Sequence, residues 1–287
     1  MANFIALVYA TLKNEGIDTK NMSQDEAVKK FNELKDKNGA TPAEQEKINN
    51  IDNKNNYKQF DQNTYKIEED GTIVMDYDKF DRIMEERNNF YANSFDNLYS
   101  KIGEKGKQDL RWSVDYYSAG EYEYINGMLR GQTVNIDEQK QKDMKRYAET
   151  LQDAIKDFEI PENIKLYRNI SIKALNEMGI DEKNIKELEG MTYNEKGFSS
   201  TSMDREVALE FGKGQFKRSG DKQILFEIDV PKGENRGIPI YGFSNFEHEQ
   251  EVLLKNNSNF KINKVLQDNG TITIKGEMLW WKKIKKQ

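Results

Sequence analysis

Cysteine is absent from this chain, and histidine occurs once, as His248. Without thiols there is no disulfide, no thiolate nucleophile and no thiolate metal site, and one histidine cannot build a zinc site of the usual kinds. The same absence leaves the redox compartment undetermined. No stretch approaches the about 18 consecutive apolar residues that a membrane span needs. The opening MANFIALVYATLKNEG lacks a basic leader region and a small-residue cleavage site. Its Phe4, Ile5, Val8 and Leu12 recur at helical spacing, so it is expected to be a helix, not a signal peptide. The product is expected to be soluble, cytoplasmic in the producing cell or delivered to a host by a separate route. Positive charge is also short: a net charge of -6 argues against a nucleic-acid partner held by a basic face, although the tail Trp280–Lys286 is locally basic.

What is present divides into helices and then strands. Two capping boxes, Ser23 with Glu26 and Thr41 with Glu44 behind Pro42, predict a small helical unit over about the first 50 residues, too small to hold much core alone. The Asn-rich stretch IDNKNNYKQFDQNTYKIEEDG predicts a polar linker. The expected organisation is a helical docking unit with its linker over residues 1–72 and a second domain over 73–287. Phe80, Ile83, Met84, Phe90, Tyr91, Phe95 and Leu98 predict long helical structure, broken around Asn88-Asn89. A third capping box, Ser118 with Glu121, predicts a helix carrying Tyr122, Asn126 and Leu129. A longer helix presents Met144, Tyr147, Leu151, Ile155 and Phe158 on one face, and Pro161 ends it. The period then shifts towards two, predicting strands at 165–169, 191–202, 224–230, 251–255, 260–266 and 271–275, with a hairpin at Asp268-Asn269-Gly270. Helices followed by strands mean an α+β fold.

Glu249-Gln250-Glu251, just before Val252-Leu253-Leu254, puts two acids one residue apart at a strand entrance. Strand alternation would project both carboxylates from one face into one cavity, where a cationic ligand offsets their repulsion. The competing reading is a solvated strand end in a chain that is 33% charged. Upstream, Arg168 closes the strand KLYRNI, and Ser200, Thr201 and Ser202 follow Phe198 in GFSSTS. No Gly-x-Ser-x-Gly elbow surrounds Ser200, which argues against serine-nucleophile chemistry.

Arginine at a strand end, then Ser-Thr-Ser, then E-x-E resembles the Arg-Ser-Glu class of mono-ADP-ribosyltransferase exoenzymes, the clostridial iota-toxin-like family. The stretch YSAGEYEYINGMLRG is similar to the helix that closes the NAD pocket in that family, and Phe211 stands where its phosphate-nicotinamide loop carries an aromatic. The resemblance implies two packed, roughly perpendicular sheets with NAD, the co-substrate, in the cleft between them. It implies that Glu251 is the catalytic glutamate, stabilising the oxocarbenium-like ribose, with Ser200 hydrogen-bonded to it. Glu249 would hold and partly deprotonate an acceptor guanidinium. Family members that modify asparagine have Gln there, so Glu favours arginine.

Arg168 would grip the pyrophosphate of NAD with a bidentate fork, the alternative being a surface ion pair. Tyr117, Tyr122 and Phe211 would pack on the flat rings of NAD, with plain core packing as the competing reading. Asn126 and Arg130 would reach adenine-ribose or phosphate groups, and Phe246 would touch the protein acceptor or anchor its loop. Gly197 departs from the pattern, since related enzymes often offer a polar nicotinamide contact there. The loop after Phe211 spreads its cations over Lys213, Lys217, Arg218 and Lys222, and none of them can be assigned to phosphate. The expected function is transfer of ADP-ribose from NAD to an arginine of a target protein, an actin-like one among the open identities. NAD glycohydrolysis stays open, as does a phage virion or head-associated protein carrying a transferase domain, because the amino-terminal helices loosely resemble the start of phage minor head proteins. A delivery or virion partner would then bind through those helices.

Overall fold

Asp76 opens the first long helix by accepting a hydrogen bond from Lys79 N at 3.1 Å. That cap satisfies one of the unpaired amides of the first turn. Helix α1 (Tyr77–Tyr116) buries Ile83, Arg87, Tyr91, Ser94 and Leu98 at three- and four-residue spacing. It continues through Asn88-Asn89, where a break was expected, because both residues face solvent and cost a helix only a few tenths of a kcal/mol there. The kink lies at Gly103, whose φ of 65° glycine adopts at no steric cost. The computed structural model describes residues 57–60, 65–67, 73–170, 182–209, 211, 223–244, 246–268 and 271–279, with 17, 22, 23, 26 and 30 from the amino-terminal segment.

The chain divides into two compact units, Met1–Asn56 and Tyr57–Gln287. In the first, Glu26 N donates to Ser23 Oγ at 3.3 Å and Ser23 N to Glu26 Oε2 at 3.4 Å, the reciprocal pair of a capping box. The opening helix, the Thr41 box and the tail after Leu279 lie outside the described residues. The division falls after Asn56, not near residue 72. Tyr57–Phe60 belong to the second unit because Lys58 N donates to Asn163 O at 2.8 Å, Lys165 N donates to Lys58 O at 3.0 Å, and Phe60 is 2% exposed.

Between α1 and the next helix, α2 (Tyr122–Leu129), the backbone makes a π-helical turn over Tyr117–Glu121, with Gly120 at φ 119°. The capping box expected from Ser118 and Glu121 is therefore not formed. The chain enters α2 from existing helix, Ser118 Oγ is buried without a hydrogen-bond partner, and Glu121 instead pairs with Lys140 at 3.0 Å. Helix α3 (Glu138–Asp157) is capped by Asp137 and ends, as expected, before Pro161.

The strands are β1 (Tyr65–Ile67), β2 (Ile73–Met75), β3 (Glu159–Ile160), β4 (Ile164–Ile170), β5 (Thr192–Glu195), β6 (Ser199–Ser202), β7 (Gln223–Val230), β8 (Gly233–Glu234), β9 (Gly237–Pro239), β10 (Glu251–Leu254), β11 (Ser258–Asp268) and β12 (Thr271–Met278). Eight of them form one hydrogen-bonded order, β5-β11-β12-β7-β4-β6-β10-β9. The expected pair of sheets is joined through β4 and β6, which share a single registered pair, Tyr167↔Ser202. The hairpin closes at Asp268↔Thr271. Leu98, Leu110 and Val114 of α1 and Leu151 and Ile155 of α3 share one core with Ile164, Leu166, Ile228 and Val252 of the sheet. Each such side chain contributes about 1.5–3 kcal/mol. The architecture is α+β. Among the described residues, no helix is long and apolar enough to cross a membrane.

Candidate active site

Register brings the three motifs onto neighbouring strands. Tyr167 of β4 pairs with Ser202 of β6, and Ser202 pairs with Glu251 of β10, so Arg168, the Ser-Thr-Ser run and Glu251 meet where the sheet narrows. Thr201 Oγ1 donates to Val252 O at 2.6 Å, fastening β6 to β10. Ser202 Oγ donates to Glu249 O at 2.8 Å, fixing the backbone of the first acid.

The two acids do not share a strand face, as alternation predicted. Glu249 closes a 3-10 turn (Glu247–Glu249), Gln250 adopts the left-handed conformation at φ 50°, and only Glu251 enters β10. The reversal at Gln250, rather than pleating, sets the relation between the carboxylates. Glu251 is 7% exposed. Its carboxyl is pushed up to about 7, chiefly by burial; the Ser200 hydrogen bond pulls it down, the Glu249 charge pushes it up and Arg168 pulls it down. Oε1 of Glu251 has no hydrogen-bond partner. Glu249 is raised by burial and lowered by His248.

The π-helical turn delivers Tyr117 to the same place. Its hydroxyl lies 3.2 Å from Ser200 Oγ and accepts from Asn126 Nδ2 at 3.1 Å, and Asn126 Oδ1 accepts from Phe198 N at 2.8 Å. Tyr117 is 1% exposed, and its ring packs edge-on against Phe198. That ring is core, therefore, and only the hydroxyl reaches the site, which corrects the expectation that it stacks on a ligand. Burial, then the Glu251 charge, push the phenol up to about 12. Tyr122 is exposed and tilted against Tyr117.

Arg168 is half-buried, and among the described residues no carboxylate stands within ion-pair distance of it. Arg130 donates from Nε to Glu195 Oε1 at 3.0 Å. Glu195 drew no notice in the sequence: a lone acid in a highly charged chain gives no signal until the fold sets it against an arginine 65 residues away. Gly197 has a steric reason, since a Cβ there would stand 2.9 Å from Asn126 Oδ1 and 3.2 Å from Arg130 Nη2. Phe211 is 60% exposed and Phe246 38%, the latter beside His248. The cations Lys213, Lys217, Arg218 and Lys222 lie outside the described residues.

The arrangement holds a buried, raised carboxyl beside an arginine, a hydroxyl and a second carboxyl, a set suited to stabilising positive charge on a bound sugar while holding anionic groups nearby. In fold, the chain is similar to the Vis toxin of Vibrio splendidus, at 23% identity and a TM-score of 0.51 over 72% of this chain and 88% of that one. Vis is also known in complex with agmatine. Likeness extends to C3stau2 from S. aureus with NAD (20% identity, TM-score 0.51, 68% of this chain and 94% of that one). It extends as well to BECa, the ADP-ribosylating toxin of a C. perfringens binary enterotoxin with NADH (19%, 0.52, 68% and 48%). No curated sequence matches the chain. The family model of the ADP-ribosyltransferase exoenzymes matches residues 87–279, a span that takes in every residue of the site just described, and the chain belongs to that family.

Proposed function

We propose that this protein transfers ADP-ribose from NAD to an arginine side chain of a target protein. The observation that carries the reading is the meeting of Glu251 with Arg168 and Ser200 where β4, β6 and β10 adjoin. The bond between nicotinamide and C1′ of the ribose breaks, and its electron pair leaves with nicotinamide. The positive charge left on the sugar is stabilised by ionised Glu251, whose orientation Ser200 and, through it, Tyr117 hold. A nitrogen of the acceptor guanidinium then bonds to C1′ and gives up its proton to Glu249. Arg168 and Arg130 hold the pyrophosphate, and Tyr122 and Phe211 offer exposed rings to the flat parts of NAD.

Glu249 supports arginine as the acceptor because a guanidinium is fully protonated near neutral pH and needs a carboxylate to hold it and take its proton. Phe246, exposed three residues earlier, is suited to contact the target protein. The agmatine complex of Vis, a small guanidino compound in a relative's fold, points the same way. Incubating the protein with labelled NAD and agmatine, and in parallel with a host-cell lysate, tests the reading by mass spectrometry. Expected are ADP-ribosyl-agmatine, equimolar nicotinamide and modified arginine in the lysate proteins. Modification of asparagine alone would refute arginine as the acceptor, and free ADP-ribose as the only product would make the protein a glycohydrolase.

A further inference from the structure

Glu195 sits at the end of β5 and is 5% exposed, yet nothing in the chemistry above uses it. Three donors converge on its carboxylate: Arg130 Nε at 3.0 Å and Gly197 N at 2.8 Å on Oε1, and Tyr193 OH at 2.8 Å on Oε2. A buried carboxylate is costly unless it is paired and hydrogen-bonded, and this one is both. Burial alone would raise its pKa, but the contacts are strong enough to hold the carboxyl below the ordinary carboxylate range, with Arg168 adding to the effect of Arg130. The phenol of Tyr193 is pushed well above its ordinary value, by burial first and then by Glu195, so it stays a proton donor.

Glu195 therefore supplies a negative charge to both arginines assigned to the pyrophosphate, touching Arg130 and acting on Arg168 through its charge. Without a carboxylate there, the two positive charges that act on this one place would be left uncompensated in a partly buried site, an arrangement that disfavours both. Its contact with Arg130 is at Nε, and the Nη2 end of the guanidinium is carried to within 3.2 Å of the position a Cβ on residue 197 would take. The absence of a side chain at Gly197 makes that approach feasible. Arg130 thus borders the space that a side chain at position 197 would fill.

We infer that Glu195 is a positioning residue, anchored by Tyr193 and the Gly197 amide, that holds Arg130 beside Gly197 and supplies the shared counter-charge for Arg130 and Arg168, so that both arginines stand ready for the pyrophosphate of NAD. The inference rests on the NAD reading given above. Glu195 does not touch the reacting atoms. Its loss affects ground-state binding of the dinucleotide and leaves the bond-breaking step alone, which separates this role from that of Glu251.

The test uses the full chain with Glu195→Gln, which keeps shape and removes charge. KM for NAD in nicotinamide release should rise about tenfold, the value of one charge-assisted hydrogen bond, while kcat changes less than about twofold. Calorimetric affinity for ADP-ribose, which carries the pyrophosphate, should fall by a similar factor, whereas inhibition by free nicotinamide stays unchanged. Arg130→Gln combined with Glu195→Gln should lose clearly less than the sum of the two single losses, since part of the effect of Glu195 runs through Arg130. Tyr193→Phe, which removes a donor and no charge, should shift ADP-ribose affinity in the same direction by less, and it keeps the test open if Glu195→Gln does not fold. Unchanged ADP-ribose affinity in both variants, additive losses, or a fall in kcat at constant KM would overturn the inference. A parent protein that binds ADP-ribose but releases no nicotinamide would instead refute the transferase reading, and the affinity comparison would still decide the role of Glu195.

Discussion

The Tyr117 hydroxyl stands 3.2 Å from Ser200 Oγ, linking the turn that precedes α2 to the strand beside Glu251. Because Asn126 Nδ2 donates to the same oxygen, the phenolic proton is available to Ser200, and Ser200 in turn bonds Glu251. Tyr117→Phe removes the centre of this chain and leaves a buried Asn126 donor unpaired. The expected cost is roughly 1–3 kcal/mol of stability, measured by urea denaturation. NAD hydrolysis should fall more steeply than stability explains, because Ser200 loses the partner that orients it. Unaltered turnover at full folding would remove Tyr117 from the argument.

The raised carboxyl of Glu251 makes a stability prediction with a definite sign. In the folded protein it keeps its proton to about pH 7, against 4.5 as the ordinary value. Between those limits the folded state binds more protons than the unfolded state, so stability falls as pH rises through this window and the full penalty is present above about 7. Glu251→Gln should therefore stabilise the free protein at pH 8 by up to roughly 3 kcal/mol and make little difference below pH 4.5. Denaturation at both pH values checks it. In the proposed reaction the same carboxyl acts ionised, so kcat/KM for nicotinamide release should climb as pH passes about 7.

The acids should separate by product. Glu251→Gln should lose both nicotinamide release and transfer to agmatine, with a barrier penalty of ~3 to 4 kcal/mol for a lost preorganised charge contact. Glu249→Gln should lose transfer while keeping appreciable hydrolysis, because water needs no guanidinium holder. Parallel assays of nicotinamide and ADP-ribosyl-agmatine measure the split, and equal losses in both variants would count against two roles.

The order of helices and strands was legible because Leu98, Leu151 and Ile155 repeat at helical spacing while Ile224, Phe226, Ile228 and Val230 alternate. Arg168, Ser200 and Glu251 were legible for a related reason: each lies on or at the edge of a strand whose neighbours fix its register. Backbone reversals were not. Glu-Gln-Glu before three apolar residues reads as strand, and nothing local marks Gln250 as left-handed, because glutamine has no intrinsic preference for that region. Ser118 and Glu121 match a capping box by spacing, but α1 runs on into that turn, so there is no free helix start for them to cap. Glu195 depends wholly on tertiary structure, since its partner Arg130 comes from the other side of a long helix and a strand in sequence.

Gly197→Ala tests the crowding beside Glu195. The added Cβ would meet Asn126 Oδ1 at 2.9 Å, and Asn126 cannot retreat easily because its amide is engaged at both ends, by Tyr117 and by Phe198 N. Overpacking of this kind costs about 1–3 kcal/mol. KM for NAD should also rise, since Arg130 Nη2 lies 3.2 Å from the same point. A variant as stable and as avid as the parent would mean that the glycine is not required by contact.

Removing the amino-terminal unit tests modularity, and the start point matters. A protein beginning at Tyr57 keeps Lys58, which is hydrogen-bonded on both sides to the β4 region, and Phe60, which is buried in the main core. It should fold and release nicotinamide from NAD at the parent rate, because every residue of the site lies beyond that point. A protein beginning at residue 73 loses Phe60 and should be less stable by about 3 kcal/mol or more, the usual cost of emptying a buried phenylalanine site. If residues 1–56 serve docking or delivery, the longer truncation product should modify agmatine normally while losing modification of the natural acceptor in a lysate. Loss of agmatine modification by the 57–287 protein would instead show that the first unit completes the catalytic core, since agmatine demands nothing of a docking surface.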